Sequence, residues 1–206
     1  GNDFFGFMAM EQVVKHPFNY KNPELIMKYT SIAIALISTK KQRVEKMQDI
    51  YFRDFLADLL TWNFESDEIA INRGRSVGWE IKNKSLMILI NLNSVYEINK
   101  VNPNDDSIGE YTKNVLMPII EGIAQEDNIN NLVGFRSDNI IVLLENEGSV
   151  KNNYKRARKV SEEFLQKNKD REDISFSVGI SNSFLKVSEI PNAYKEALDA
   201  MSIGRR

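Results

Sequence analysis

Ser85-Leu86-Met87-Ile88-Leu89-Ile90-Asn91-Leu92-Asn93 is the stretch on which the fold turns. Its apolar run is continuous, not alternating, which predicts a central strand covered on both faces. Two asparagines follow at its end. Further on, Leu132–Phe135 and Ile140–Leu144 read as short strands joined by Arg136-Ser137-Asp138-Asn139, a hairpin. Between them, Ser107-Ile108-Gly109-Glu110 has the form of a capping box. Ile108, Tyr111, Val115, Ile119 and Ile123 then share a helical face, with Pro118 expected to kink or restart the helix. Residues 150–168 are amphipathic, with Val150, Tyr154, Ala157, Val160 or Ser161, and Phe164 on one side. Ile174, Phe176, Val178 and Ile180 alternate as a half-buried strand, and residues 191–203 form a last helix with Tyr194, Ala197, Leu198 and Met201 inward. The order from residue 85 is strand, helix, strand, strand, helix, strand, helix. That is an α+β, ferredoxin-like split βαβ arrangement, with helices expected on one face of an antiparallel sheet.

Upstream, Phe4-Phe5-Gly6-Phe7-Met8-Ala9-Met10 reads as a strand within residues 4–13, and the chain's abrupt start reads as a cut from something longer, with Gly1 a cloning remnant. Pro23 suits the first turn of a helix beginning near Asn22. From there Leu25, Tyr29, Ile32 and Leu36 recur at four-three-four spacing. The stripe weakens at Lys40 and resumes with Val44, Met47, Tyr51, Phe55, Leu59 and Leu60. This long N-terminal helix, whole or broken, has too little chain around it to bury both stripes, and a second copy is the expected cover. Leu25, Tyr29, Ile32, Leu36, Val44 and Met47 are the candidate dimerisation residues. Ser66 is a plausible N-cap for a second helix that Gly78 ends.

The composition sets limits. Lys and Arg number 27 against 29 Asp and Glu, for a net charge of −2, which disfavours nucleic acid as a direct partner. No cysteine is present, so thiolate metal sites and cysteine nucleophiles are excluded, in keeping with a cytoplasmic protein. No apolar run approaches the roughly 20 residues of a membrane helix. His16, the only histidine, stands beside Pro17 with no partner to make it a general base. Asp105-Asp106 and Glu126-Asp127 are read as solvated, Trp62 and Trp79 as packing residues. Gly134 and Gly179 mark close backbone approach or a bulge.

Leu89-Ile90-Asn91-Leu92-Asn93-Ser94-Val95-Tyr96-Glu97-Ile98-Asn99 resembles the first-strand segment of GGDEF diguanylate cyclases, L-D-x-D-x-F-K-x-I-N. Ile98 and Asn99 match, while Asn91 and Asn93 stand where that family has aspartates. Arg136 and Ser137 replace the two glycines of the signature loop. Asp138 keeps its aspartate, Asn139 replaces its glutamate and Ile140 its phenylalanine. Ser177-Val178-Gly179-Ile180 matches the later strand. The cyclases' product-inhibition motif, R-x-x-D, would fall at 127–130 and does not match.

A wider resemblance runs from Phe52 to Arg206. Phe52-Arg53-Asp54-Phe55-Leu56-Ala57-Asp58-Leu59-Leu60, then Arg73-Gly74-Arg75-Ser76-Val77-Gly78, are similar to the opening of the GGDEF-like domain of PucR/CdaR-type bacterial transcription regulators. Tyr194-Lys195-Glu196-Ala197, continuing to Gly204-Arg205-Arg206, resembles its end. The resemblance implies a tail of a GAF-like sensory domain at 1–22, a helical linker at 23–62 and a GGDEF-like regulatory domain at 63–206.

The cyclase reaction uses two Mg²⁺ ions, and hard cations favour charged oxygen ligands. With Asn91, Asn93 and Asn139 neutral, no catalytic residue, metal ligand or cofactor is assigned. Asn91, Asn93, Arg136, Ser137, Asp138 and Asn139 remain candidates for lining a degenerate ligand cleft. The expected role is a homodimeric, non-catalytic relay to a helix-turn-helix that is the only route to DNA, with the small-molecule effector unidentified. A degenerate nucleotide-binding sensor is the alternative, and a metal-dependent cyclase the weaker one.

Overall fold

The computed structural model describes residues 23–79, 84–92, 107–125, 131–145, 150–170 and 174–204. The aromatic N-terminal strand, His16, Asn93, the Asp105-Asp106 loop and Glu126-Asp127 lie outside these. Twelve elements reduce to six α-helices and four strands, joined through one π segment and one 3₁₀ turn among the described residues. The helices are α1 (Pro23–Thr61), α2 (Asp67–Ser76), α3 (Ser107–Tyr111), α4 (Met117–Gln125), α5 (Val150–Lys167) and α6 (Ile190–Gly204). The strands are β1 (Ser85–Leu92), β2 (Asn131–Arg136), β3 (Asn139–Glu145) and β4 (Phe176–Ile180).

The strands form one antiparallel sheet in the order β2-β3-β1-β4. β1 is central, as its unbroken apolar run predicts, and residues Leu86 to Ile90 are at most 1% exposed. Both of its faces are covered, which corrects the expectation of helices on one face only. Leu86, Ile88, Ile90 and Leu92 meet the π segment (Thr112–Leu116), α4 and α5 through Leu116, Ile120, Ala157, Val160 and Phe164. Met87 and Leu89 face the other way, into a core built from Phe55, Leu56 and Leu59 of α1 and Ala193, Ala197 and Met201 of α6. The apolar run demanded this double cover, because either face left wet would expose several large side chains at about 1.5–3 kcal/mol each.

Pro118 does not break its helix. The turn before it widens into a π segment, Thr112–Leu116, closed by the Met117 N–H donating to the Thr112 carbonyl. A proline ring crowds the carbonyl four residues back, and a π turn relieves such crowding. The wider turn also shifts the buried face. Thr112, Leu116, Ile120, Ile123 and Ala124 are buried, while Tyr111, Val115 and Ile119 are only partly so.

The chain divides into two compact units between Ile50 and Tyr51. In the second, Phe55, Leu56, Leu59 and Leu60 are core residues. The first carries the rest of α1, unbroken at Lys40, with Leu25, Tyr29, Ile32, Leu36, Val44 and Met47 all exposed. No described helix is long and apolar enough to cross a membrane.

Helix α1 ends with Trp62 at φ 53° and the Asn63 N–H donating to the Asp58 carbonyl. Trp62 stacks obliquely on Phe64, which meets Phe55 edge-on. Arg73 pairs with Asp58 and lies over the Phe64 ring, pinning α2 to α1. Ser66 accepts from the Ile69 N–H as the N-cap of α2, and Gly78 at φ 82° closes it, with Trp79 N–H returning to Gly74. These ends follow the expected capping chemistry.

Gly179 is the tightest point. A Cβ there would collide with the Ala197 backbone carbonyl of α6, so α6 sits against β4 only because this position has no side chain. At Gly134 the obstacles are the side chains of Leu56 and Phe52 instead. Both glycines thus mark close approach. Gly179→Ala is expected to cost about 2–4 kcal/mol in urea unfolding, because backbone must move. Gly134→Ala should cost less, since the Leu56 side chain can rotate away.

Candidate functional site

β1 delivers Asn91 to the end of the sheet, and the β1–β3 register sets it directly opposite Asn139. The Asn91 side-chain amide donates to Asn139 Oδ1 at 2.8 Å and lies 3.3 Å from the Asp138 carbonyl. Leu92 N–H donates to the same carbonyl at 3.0 Å. The strand end and the hairpin are therefore closed on each other by neutral amides.

The hairpin itself is a two-residue turn, Ser137–Asp138, with Arg136 paired to Asn139 across it. Ser137 adopts φ 53°, in the left-handed region that favours glycine. A serine thus holds a backbone shape that favours glycine, at a strain of order 1 kcal/mol. Arg136 and Ser137 are exposed, while Asp138 and Asn139 are half-buried. Five of the six candidate residues are therefore placed, and they converge at one end of the sheet. Asn93 lies outside the described residues.

This donor set does not fit a pair of divalent cations. Among the described candidate residues Asp138 is the one carboxylate, beside two neutral amides, and the Asn139 oxygen already accepts from Asn91. Hard cations take six or more oxygens, several of them charged. Among the described residues no three His, Cys, Asp or Glu side chains gather.

At the opposite end of β1 lies a polar set that sequence reading missed. Ser85, Glu145, Asn153 and Arg156 are all buried, and Ser85 pairs with Glu145 across the sheet. Arg156 donates at 3.0 Å to the carbonyls of Glu145 and Ala124, tying α5 to the ends of β3 and α4. The Ala124 carbonyl belongs to a helix C-terminus, where a cation is favoured. Periodicity had placed these two positions of α5 outside its apolar face, and a buried guanidinium has no separate sequence signal. Nearby on the surface, Tyr154 donates to Asn182 Oδ1 at 2.8 Å, and the Asn182 N–H donates to Glu196. Burial, then the Glu196 charge, raises the Tyr154 hydroxyl above its usual range.

A family model described as the GGDEF-like domain matches residues 63–203. No curated protein matches the chain. Among solved structures, an EAL/GGDEF domain protein from M. capsulatus is 18% identical, covering 59% of this chain and 80% of its own, with a TM-score of 0.44. The diguanylate cyclase SiaD from Pseudomonas aeruginosa, solved in complex with its activator SiaC, is 13% identical. It covers 89% of this chain and 76% of its own, with a TM-score of 0.46.

Placing carboxylates on both sides tests the geometry of this strand end. Asn91→Asp combined with Asn139→Asp sets like charges opposite each other and is expected to cost about 1 kcal/mol near pH 7. The loss should fade as pH falls below about 4, where both acids protonate. Denaturant titrations at the two pH values measure it. Separately, Ser137→Gly should stabilise the fold by up to about 1 kcal/mol.

Proposed function

Because the chain belongs to the GGDEF-like domain family, we propose that it is a non-catalytic regulatory and dimerisation module. Its parent protein is a PucR/CdaR-type transcription regulator, in which it relays a ligand signal to a DNA-binding helix-turn-helix elsewhere in that protein. The observation that carries the non-catalytic part is the hydrogen bond from the Asn91 side-chain amide to Asn139 Oδ1. The two positions that would present charge to metal and phosphate instead satisfy each other as neutral groups. Arg136, where the resemblance places a glycine, sets a long side chain where a nucleotide would approach the backbone.

Dimerisation rests on α1. Leu36 is 66% exposed, Tyr29 64% and Met47 54%, at spacings that bring them to one side of a helix. Large apolar side chains regularly exposed along a helix are the usual seam of a helix pair. The relay reading places effector sensing upstream of this helix.

A nucleotide-binding sensor without turnover is the second reading. Ser137 keeps the left-handed turn, and the exposed Arg136 next to it offers a phosphate contact.

Sedimentation equilibrium tests the dimer. The chain is expected to sediment as a dimer, and Ile32→Glu with Leu36→Glu as a monomer, whereas Leu185→Glu, exposed in the other unit, should leave it dimeric. Calorimetric titration with GTP and cyclic di-GMP, with and without Mg²⁺, tests catalysis and the sensor reading. No heat is expected. Metal-independent binding would favour the sensor, and Mg²⁺-dependent GTP binding with turnover would overturn the non-catalytic reading.

A further inference from the structure

At the end of β2 away from the Ser137–Asp138 turn, four elements leave an open cleft of about 250 Å³. Its exposed lining is chiefly polar, with Glu121 and Gln125 of α4 and Asn131 of β2 contributing side chains, and it is bordered by Phe52 of α1, Leu132 of β2 and the nearly buried Trp79 after α2. Glu121 and Gln125 are one helical turn apart, so both reach the cleft from the same face. Among the described residues Glu121 is the only charged side chain lining it. The carboxylate is half-buried and makes no hydrogen bond or ion pair with another described residue. Burial accordingly raises its carboxyl above the usual range.

A carboxylate partly withdrawn from water without a counter-charge is unfavourable, and the group that best relieves it is a cation. The cleft is smaller than the roughly 300–1,000 Å³ of drug-sized ligand sites, so its occupant is compact. Aromatic side chains beside an acid are the surroundings that favour an ammonium carried on an apolar body. We propose that this cleft binds a compact organic amine or guanidine, with Glu121 as counter-ion, Gln125 and Asn131 orienting the N–H donors, and Phe52 and Trp79 at its border. The site is separate from the Asn91 hairpin and stands whether or not that hairpin binds a nucleotide.

Benzylammonium is a suitable probe, with benzyl alcohol as the uncharged control and phenylacetate as the charge-reversed one. Titration into the ¹⁵N-labelled chain reads the two indole N–H signals and the amides of residues 121, 125 and 131. Benzylammonium is expected to move the Trp79 indole and those amides at millimolar concentration and to leave the Trp62 indole in place. Benzyl alcohol should bind about tenfold more weakly or not at all, and phenylacetate not at all. Glu121→Gln should weaken benzylammonium about tenfold with an otherwise unchanged spectrum. Gln125→Lys, which supplies a tethered cation, should do the same. Equal binding of phenylacetate, undiminished affinity in Glu121→Gln, or a Trp79 signal that stays still throughout would each overturn the assignment.

Discussion

The double burial of β1 is the constraint from which the rest follows. Strand Ser85–Leu92 pairs on one side with β3 and on the other with β4, and its residues alternate into two separate cores. Neither core survives alone, because each needs the strand's other face sealed from water. The π turn at Thr112–Leu116 brings Leu116 and Ile120 onto one face, and the missing side chain at Gly179 lets α6 reach the other. The last turns of α1 complete the second core with Phe55, Leu56 and Leu59. Helix and domain are in this sense one folding problem from Tyr51 onward.

Polar groups are disposed at the two ends of this central strand in opposite ways. At one end Asn91 and Asn139 close on each other at the surface, through neutral hydrogen bonds of modest net worth. At the other, Arg156 is buried and spans two carbonyls, an arrangement in which removing a partner is costly. Because Asn91 and Asn139 are neutral amides, no like charges face each other between strand end and hairpin at this pair.

Much of this was legible in the residues. The unbroken apolar run, the hairpin spacing, the N-cap at Ser66, the stop at Gly78 and the close approaches at Gly134 and Gly179 are each local, and each has a local chemical cause. That Asn91 lies close to the hairpin residues Arg136, Ser137, Asp138 and Asn139, at one end of the sheet, followed from the strand order. Less legible were the burial of Asn153 and Arg156, the shifted face around Pro118 and the cleft beside Glu121. Those depend on what lies opposite a side chain, which periodicity along one element does not encode.

Sequence by itself determined the element order, the antiparallel pairing of a split βαβ unit and the neutral character of the strand-end residues. Side-chain type and backbone preference act over a few residues, so they are written locally. Only the tertiary structure decided which helices cover each face of the sheet and that α1 is continuous through Lys40. It alone decided that a serine holds the left-handed turn, and that an acid on α4 shares a cleft with an aromatic residue some forty positions away in the chain. These are products of packing, in which the free energy of burying one surface is settled by whichever distant surface arrives to cover it.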